Sequence, residues 1–241
     1  MQYNEFAYVY DCLMHEDIDY DKWCDYIENL FDAHNADVNS ICELACGTGN
    51  MTAILQRRGY KMTASDISKD MLSVAKKKLK NTKLICSDMS EIKLKGKYDA
   101  FLCMIDGINY VIFPERLQRT FENVKKSLNK NGVFIFDVSS RYKLKNIIGD
   151  ETFIHSDYDI FYSWQNRYIE KYSLSEMLLN FFVREGDSYS RFEERHLQRG
   201  WSEKQLRKML EKAGFTEIDV YSELTFSAPE SDCERLVFVC R

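Results

Sequence analysis

Between Ile41 and Val138 the chain alternates short, almost wholly apolar runs with amphipathic stretches, and that alternation limits its fold more than any other feature. The runs Ile41–Cys46, Lys61–Ser65, Thr82–Ser87, Tyr98–Ile105 and Gly132–Val138 read as strands, bounded by turn residues. Between them, helical periodicity marks 51–58, 69–79 and 114–128, and Pro114 suits a first helical turn, where its missing N–H is no loss. A strand that is apolar along its length must be covered on both faces, and helices follow the strands here. The expectation is an α/β fold: a doubly wound, Rossmann-like, mostly parallel sheet. Two last strands, at 216–222 and 235–240, would bring it to seven and close it with a C-terminal antiparallel hairpin.

Two segments fall outside this repeat. At the N-terminus, Tyr3, Phe6, Tyr10 and Leu13, then Trp23, Ile27, Leu30 and Phe31, recur at spacings of three and four, which predicts two helices with aromatic stripes. After a short amphipathic helix ending near Gly149, the period changes to two: Met177, Leu179, Phe181 and Val183 alternate with polar residues, and "EGD" at 185–187 turns the chain into "SYSRFEERHLQR". Ile160, Tyr162 and Trp164 add at least one more strand. The predicted organisation is an N-terminal helical lid at 1–36, a core at 37–149 and 201–241, and an inserted antiparallel β cap at 150–200. Ser202 and Gln205 form a capping box for a helix ahead of the closing strands, with Trp201 and Leu206 placed as a hydrophobic staple and Gly214 past its end.

At 241 residues, 45% hydrophobic and 29% charged, the chain can bury one sizeable core, and no apolar run approaches the ~20 residues that span a bilayer. A cytoplasmic protein without membrane attachment is expected, as monomer or homodimer. The net charge of −5 argues against a nucleic-acid partner, and the one basic cluster, "KKKLK" at 76–80, reads as a solvated helix face. The eight cysteines lie mostly in apolar runs with no CxxC pair, so they read as reduced thiols. Cys42 and Cys46, four apart on a strand, would stand ~13 Å from each other, too far for one metal ion.

The chemistry concentrates in "ICELACGTGN", Ile41 to Asn50, where the first strand meets the first helix. Two glycines with a single residue between them imply that a ligand approaches the backbone. Acids recur at the carboxyl ends of the strands, where doubly wound sheets bind ligands: Glu43, Asp66, Asp88, Asp106 and Asp137. Asp66 stands 19 residues after Gly47, close to the ~20 at which an acid meets ribose hydroxyls. Thr52 occupies the place of the third glycine of a dinucleotide turn, and no lysine follows as a phosphate loop requires. A ligand without phosphate and with a positive centre fits an acidic edge better, and S-adenosylmethionine (SAM) is such a ligand.

In these residues the chain resembles the class I SAM-dependent methyltransferases, over roughly 37–138 and the two closing strands. "ELACGTG" matches the family's first motif, acid-x-Gly-x-Gly-x-Gly, at Glu43, Gly47 and Gly49, with Ala45 in place of the first glycine. The ribose acid matches Asp66 and the acid near adenine matches Asp88, with Ile67 and Met89 as flanks. "CMIDGINY" resembles the fourth motif of small-molecule members and lacks the Asn-Pro-Pro-aromatic signature of base-methylating enzymes. The resemblance implies SAM as cofactor, held by Tyr10, Glu43, Ala45, Cys46, Gly47, Thr48, Gly49, Asp66, Ile67, Met71, Asp88, Met89, Met104 and Asp106. It also implies transfer of the S-methyl group to a small-molecule nitrogen or oxygen nucleophile by in-line displacement.

Such a transfer gains chiefly from alignment and exclusion of water, and a general base is optional. Tyr110 and His196 are candidate catalytic residues. Acceptor contacts are expected from Tyr8, Asn109, Tyr110, Tyr168, Arg191 and His196, with Tyr3 and Arg199 as further candidates, and His155 is a further candidate for the general base. No metal site is expected. Two other readings remain open: a nicotinamide-dependent oxidoreductase, and a SAM-binding protein without chemistry.

Overall fold

A computed structural model describes residues 7, 9–11, 13, 14, 17–157 and 159–241. Its helices are α1 (Tyr20–Ala33), α2 (Asn50–Arg57), α3 (Lys69–Lys78), α4 (Pro114–Ser127) and α5 (Glu203–Ala213). The strands β1 (Ser40–Leu44), β2 (Lys61–Asp66), β3 (Lys83–Cys86), β4 (Tyr98–Cys103), β5 (Leu128–Ser139), β10 (Ile218–Ser222) and β11 (Arg235–Cys240) form a seven-stranded sheet in the order β10-β11-β5-β4-β1-β2-β3. Pairing is parallel from β5 through β4, β1 and β2 to β3, and β11 runs antiparallel to both β5 and β10. The expected doubly wound sheet with its closing hairpin is therefore present. Strand order reverses at β1, which lies between β4 and β2.

The two faces of the sheet fill by the period of two that a strand imposes. On β5, Phe134, Phe136 and Val138 pack with α4 and α5 through Leu117, Phe121, Leu206 and Leu210. Val133 and Ile135 turn the other way, towards Ile27, Leu30 and Leu55 on α1 and α2. Phe136 stacks on Phe238 of β11 with ring centroids 4.8 Å apart. The capping box of Ser202 and Gln205 opens α5, and Gly214 closes it in the left-handed conformation at φ +98°.

A second, antiparallel sheet is built from β6 (Thr152–Ser156), β7 (Ile160–Ile169), β8 (Leu174–Glu185) and β9 (Ser188–Arg199), in chain order. Gly186, at φ +63°, makes the β8–β9 turn inside the predicted "EGD". Phe181 and Phe192 on its inner face pack against Val9, so the N-terminal segment leans on this sheet.

Some boundaries differ from expectation, for local reasons. Strand β4 stops at Cys103, two residues early, because Ile105 and Asp106 take left-handed backbone angles of +57° and +65°. The short helix before Gly149 is a single π-helical stretch, Lys143–Ile148. Of the first predicted helix, the described residues 7, 9–11, 13, 14 and 17 are helical, whereas Tyr3 and Phe6 lie outside the described residues. No helix among the described residues is long and apolar enough to cross a membrane.

Candidate functional site

At the carboxyl ends of β1, β2 and β4, where strand order reverses, two cavities of about 590 Å³ and about 40 Å³ adjoin. Tyr10, Ala45, Gly47 and Ile105 line both and so mark their boundary. A larger hollow of about 770 Å³ runs along α1 beside Asp25, Glu28 and Asp32, away from the strand ends. It lacks the glycine turn and the strand-end acids.

The turn after β1 is built by alternation. Ala45, Gly47 and Gly49 all take positive φ, at +52°, +54° and +78°. For Ala45 that geometry costs roughly 1–2 kcal/mol, which the neighbouring structure must offset. The Cys46 amide donates to Ser65 O (3.0 Å) and the Gly49 amide to Cys46 O (2.9 Å), which fixes the turn against β2. The Gly47 amide donates to Asp66 Oδ2 (2.9 Å) and the Ser68 amide to Asp66 Oδ1 (2.8 Å), so one carboxylate ties the first two turns together. Burial pushes the Asp66 carboxyl up, opposed by these amide donors.

Glu43 is only 4% exposed and lies on the small cavity. Burial pushes its carboxyl up to about 7; the Thr52 hydroxyl, which donates to it, pulls the other way, and the Asp66 charge adds to the rise. Thr52, noted in the sequence only as a missing glycine, is thus the partner that orients Glu43. Asp88 accepts from the Ser90 amide (2.7 Å) and hydroxyl (2.6 Å) and pairs with Arg116 through its other oxygen.

The left-handed Ile105 is β-branched, an uncommon and strained choice. Asp137, wholly buried, accepts from both the Ile105 and the Asp106 amides and pairs with Arg235. Arg235 also pairs with Asp106. A buried ionic clamp therefore holds the strained turn at the junction of the two cavities.

On the far side of the larger cavity stand Tyr110, His196, Glu194, Ile112 and Phe113. Tyr110 and His196 meet edge to face, with ring centroids 5.8 Å apart. Burial lowers the His196 imidazole below its ordinary value and raises the Glu194 carboxyl.

Most residues expected at the cofactor site converge on these cavities: Tyr10, Ala45, Gly47, Asp66, Ile67, Met71, Asp88 and Met89 on the larger, Glu43, Cys46, Thr48 and Met104 on the smaller. Two do not. A Cβ on Gly49 would stand 2.9 Å from Leu79 Cδ1 and 3.2 Å from Ala75 Cβ, so that glycine makes room for α3. Asp106 directs its carboxylate to Arg235 and Ser139.

Among the acceptor candidates, Tyr110 and His196 line the cavity and three others do not. Asn109 is fully buried and staples Ser139 to Arg199, donating to both carbonyls and accepting from the Ser139 amide. Tyr168 packs beside Leu144 and Ile148, and Arg191 pairs with Glu193 on the surface. Of the further candidates, Arg199 donates to Ile112 O (2.8 Å) and lies over Trp201, and His155 pairs with Asp157. Tyr8, like Tyr3, lies outside the described residues. Arg116, Glu194 and Asp11 carried no sequence signal, since each is an ordinary helix or strand charge until the fold turns it inward.

The chemistry of the lining fits SAM. A Cβ at Gly47 would meet nothing nearer than Tyr10 Cε1 at 4.0 Å, so the absent side chain leaves the cavity's floor open. Carboxylates at 43, 66 and 88 offer acceptors for hydroxyls, an amino group and a cation; among the described residues the lining holds no lysine, and its arginine, Arg116, is paired with Asp88.

The comparisons with known proteins agree. A family model described as a methyltransferase domain matches residues 41–132. A putative methyltransferase of Bacillus subtilis, YqeM, is 35% identical over 243 residues, covering 99% of this chain and 96% of the relative. The crystal structure of a SAM-dependent methyltransferase from Clostridium acetobutylicum superposes with a TM-score of 0.90 at 35% identity, over 99% of this chain and 98% of that one. A dTDP-3-amino-3,4,6-trideoxy-alpha-D-glucopyranose N,N-dimethyltransferase of Streptomyces venezuelae is 25% identical over 119 residues, 49% of this chain and 50% of the relative. On its strand-end site and these relatives together, this chain belongs to the SAM-dependent methyltransferases.

Proposed function

We propose that the chain methylates a nitrogen of a small-molecule amine, with residues 37–149 and 201–241 holding the cofactor, 1–36 covering it and 150–200 supplying the acceptor side. The observation that carries this reading is the placement of Glu194 and His196, two residues apart on β9 and so on one face, both lining the 590 Å³ cavity. A carboxylate favours an ammonium over an anionic acceptor, and a histidine held neutral by burial can take the proton that an amine nucleophile must lose. The sugar N,N-dimethyltransferase among the relatives supports an amine, as its name states that chemistry.

SAM supplies an electrophilic methyl on a sulfonium. We assign Asp66 to the ribose hydroxyls, Asp88 to the adenine amino group between Ile67 and Met89, and Glu43 to the positive end of the amino-acid tail in the small cavity. Tyr10 and Ile105, at the boundary of the two cavities, would flank the point of transfer and exclude water. The amine lone pair forms the new N–C bond as the C–S bond breaks, its electrons stay with sulfur, and the amine proton passes to His196 Nδ1 or Nε2. Tyr110, edge-on to His196, orients the ring.

The test is turnover of SAM with a panel of amines, amino sugars included, against carboxylates and phenols of similar size. Amine turnover is expected, with His196→Ala lowering kcat by about 10²-fold and Glu194→Gln raising the acceptor KM. Turnover of carboxylates or phenols alone would overturn the nitrogen assignment.

A further inference from the structure

One carboxylate at the edge of the cofactor cavity gathers donors from the glycine turn, α2 and α3, of which Lys78 also donates to Asn50 Oδ1. Asp11 Oδ1 accepts from Thr48 Oγ1 (2.6 Å), Asn50 Nδ2 (3.0 Å) and Lys78 Nζ (2.5 Å). Thr48 belongs to the glycine turn, Asn50 opens α2 and Lys78 ends α3. Lys78 comes from the basic run that sequence alone reads as a solvated helix face. Lys76 and Lys77 do remain exposed, but Lys78 is turned in and pairs with Asp11, their side chains 27% and 16% exposed. A pair so withdrawn from water is screened less than a surface ion pair.

The residue before Asp11 is Tyr10, which lines both cavities and is the nearest atom group to the open side of Gly47. Successive helical residues point in different directions, so Tyr10 can face the cavity while Asp11 grips the turn. We infer that Asp11 is a positioning residue that latches the N-terminal helix onto the glycine turn and so seats Tyr10 over the end of the cavity assigned to the amino-acid tail of SAM. The inference rests on SAM as cofactor and not on the identity of the acceptor. Burial alone would raise the Asp11 carboxyl, but Lys78, Thr48 and Asn50 together hold it below its ordinary value, so the latch stays charged at neutral pH.

The experiment needs no acceptor. Calorimetry on the full chain compares S-adenosylhomocysteine, which has the amino-acid tail, with 5′-methylthioadenosine, which lacks it, in wild type, Asp11→Ala, Asp11→Asn and Lys78→Met, with circular dichroism confirming each fold. Asp11→Ala should weaken the tailed ligand by about tenfold or more, as loss of a charge-assisted cluster implies, and the tailless one less than about twofold. Asp11→Asn, which keeps an acceptor oxygen, should recover part of the loss. Lys78→Met should show the same ligand selectivity on a smaller scale, and adding it to Asp11→Ala should cost little more. Equal weakening of both ligands, in Asp11→Ala or, if that variant does not fold, in Lys78→Met, would make the cluster merely structural and overturn the inference, as would no weakening of either.

Discussion

Gly47 and Gly49 are two residues apart and share left-handed backbone, yet they answer to different neighbours. A side chain at Gly47 would project into the cavity, whereas one at Gly49 would strike Leu79 and Ala75. Gly47→Val should therefore cut SAM affinity at least tenfold while the fold persists, and Gly49→Ala should lower the melting temperature with SAM affinity of the folded protein little changed. Calorimetry and thermal melts on the two variants separate these outcomes. Glu43 offers a pH test at the same scale. The folded chain holds its proton up to about pH 7, against an ordinary 4.5, so the folded state binds more protons across that window and loses stability as pH rises through it. Relative to Glu43→Gln, the ligand-free wild type should lose on the order of 3 kcal/mol between pH 4.5 and 8, a difference read from paired melting curves. A pH-independent difference would contradict the buried carboxyl.

Among elements, the turn after β4 depends most on partners distant in sequence. Its strained Ile105–Asp106 backbone is held by Asp137 on β5, whose charge is matched by Arg235 on β11. Arg235→Met leaves a buried carboxylate unpaired and should destabilise by about 3–5 kcal/mol in denaturant titration. Arg235→Met combined with Asp137→Asn should be less damaging than Arg235→Met alone. Helix α5 is the opposite case, because everything that starts and stops it is local. Ser202→Ala should cost about 1 kcal/mol, without effect on SAM binding. The difference explains what could be read from the chain. Capping boxes, strand runs and the "EGD" turn depend on neighbours within a few residues, and all three were legible. The early end of β4 was not, since nothing near Ile105 announces that a carboxylate 32 residues away will hold its amide.

At the scale of the molecule, the second sheet and the N-terminal segment pack on each other as well as on the core. Val9 and Leu13 meet Phe181 and Phe192 across that contact. Phe181→Ala should cost about 3 kcal/mol, seen as a lower melting temperature, since the residue is 2% exposed and leaves a cavity of its own size. The sequence by itself determined the class of the sheet, its covering by helices and the register of Glu43, Gly47, Asp66 and Asp88. The sheet and its covering follow from periods of two and 3.6, Asp66 from its fixed spacing to Gly47 along one βαβ unit, and Asp88 from the resemblance to the family. The tertiary structure decided which of many ordinary polar residues became part of the site. Asn109 and Arg191 carried attractive chemistry and were turned to stapling and to surface pairing, while Asp11, Thr52, Arg116 and Glu194 were drawn inward. The physical reason is that a backbone pattern fixes which face a residue occupies, but a charge or hydroxyl acquires its role from the partner the fold sets against it, and those partners lie tens of residues away.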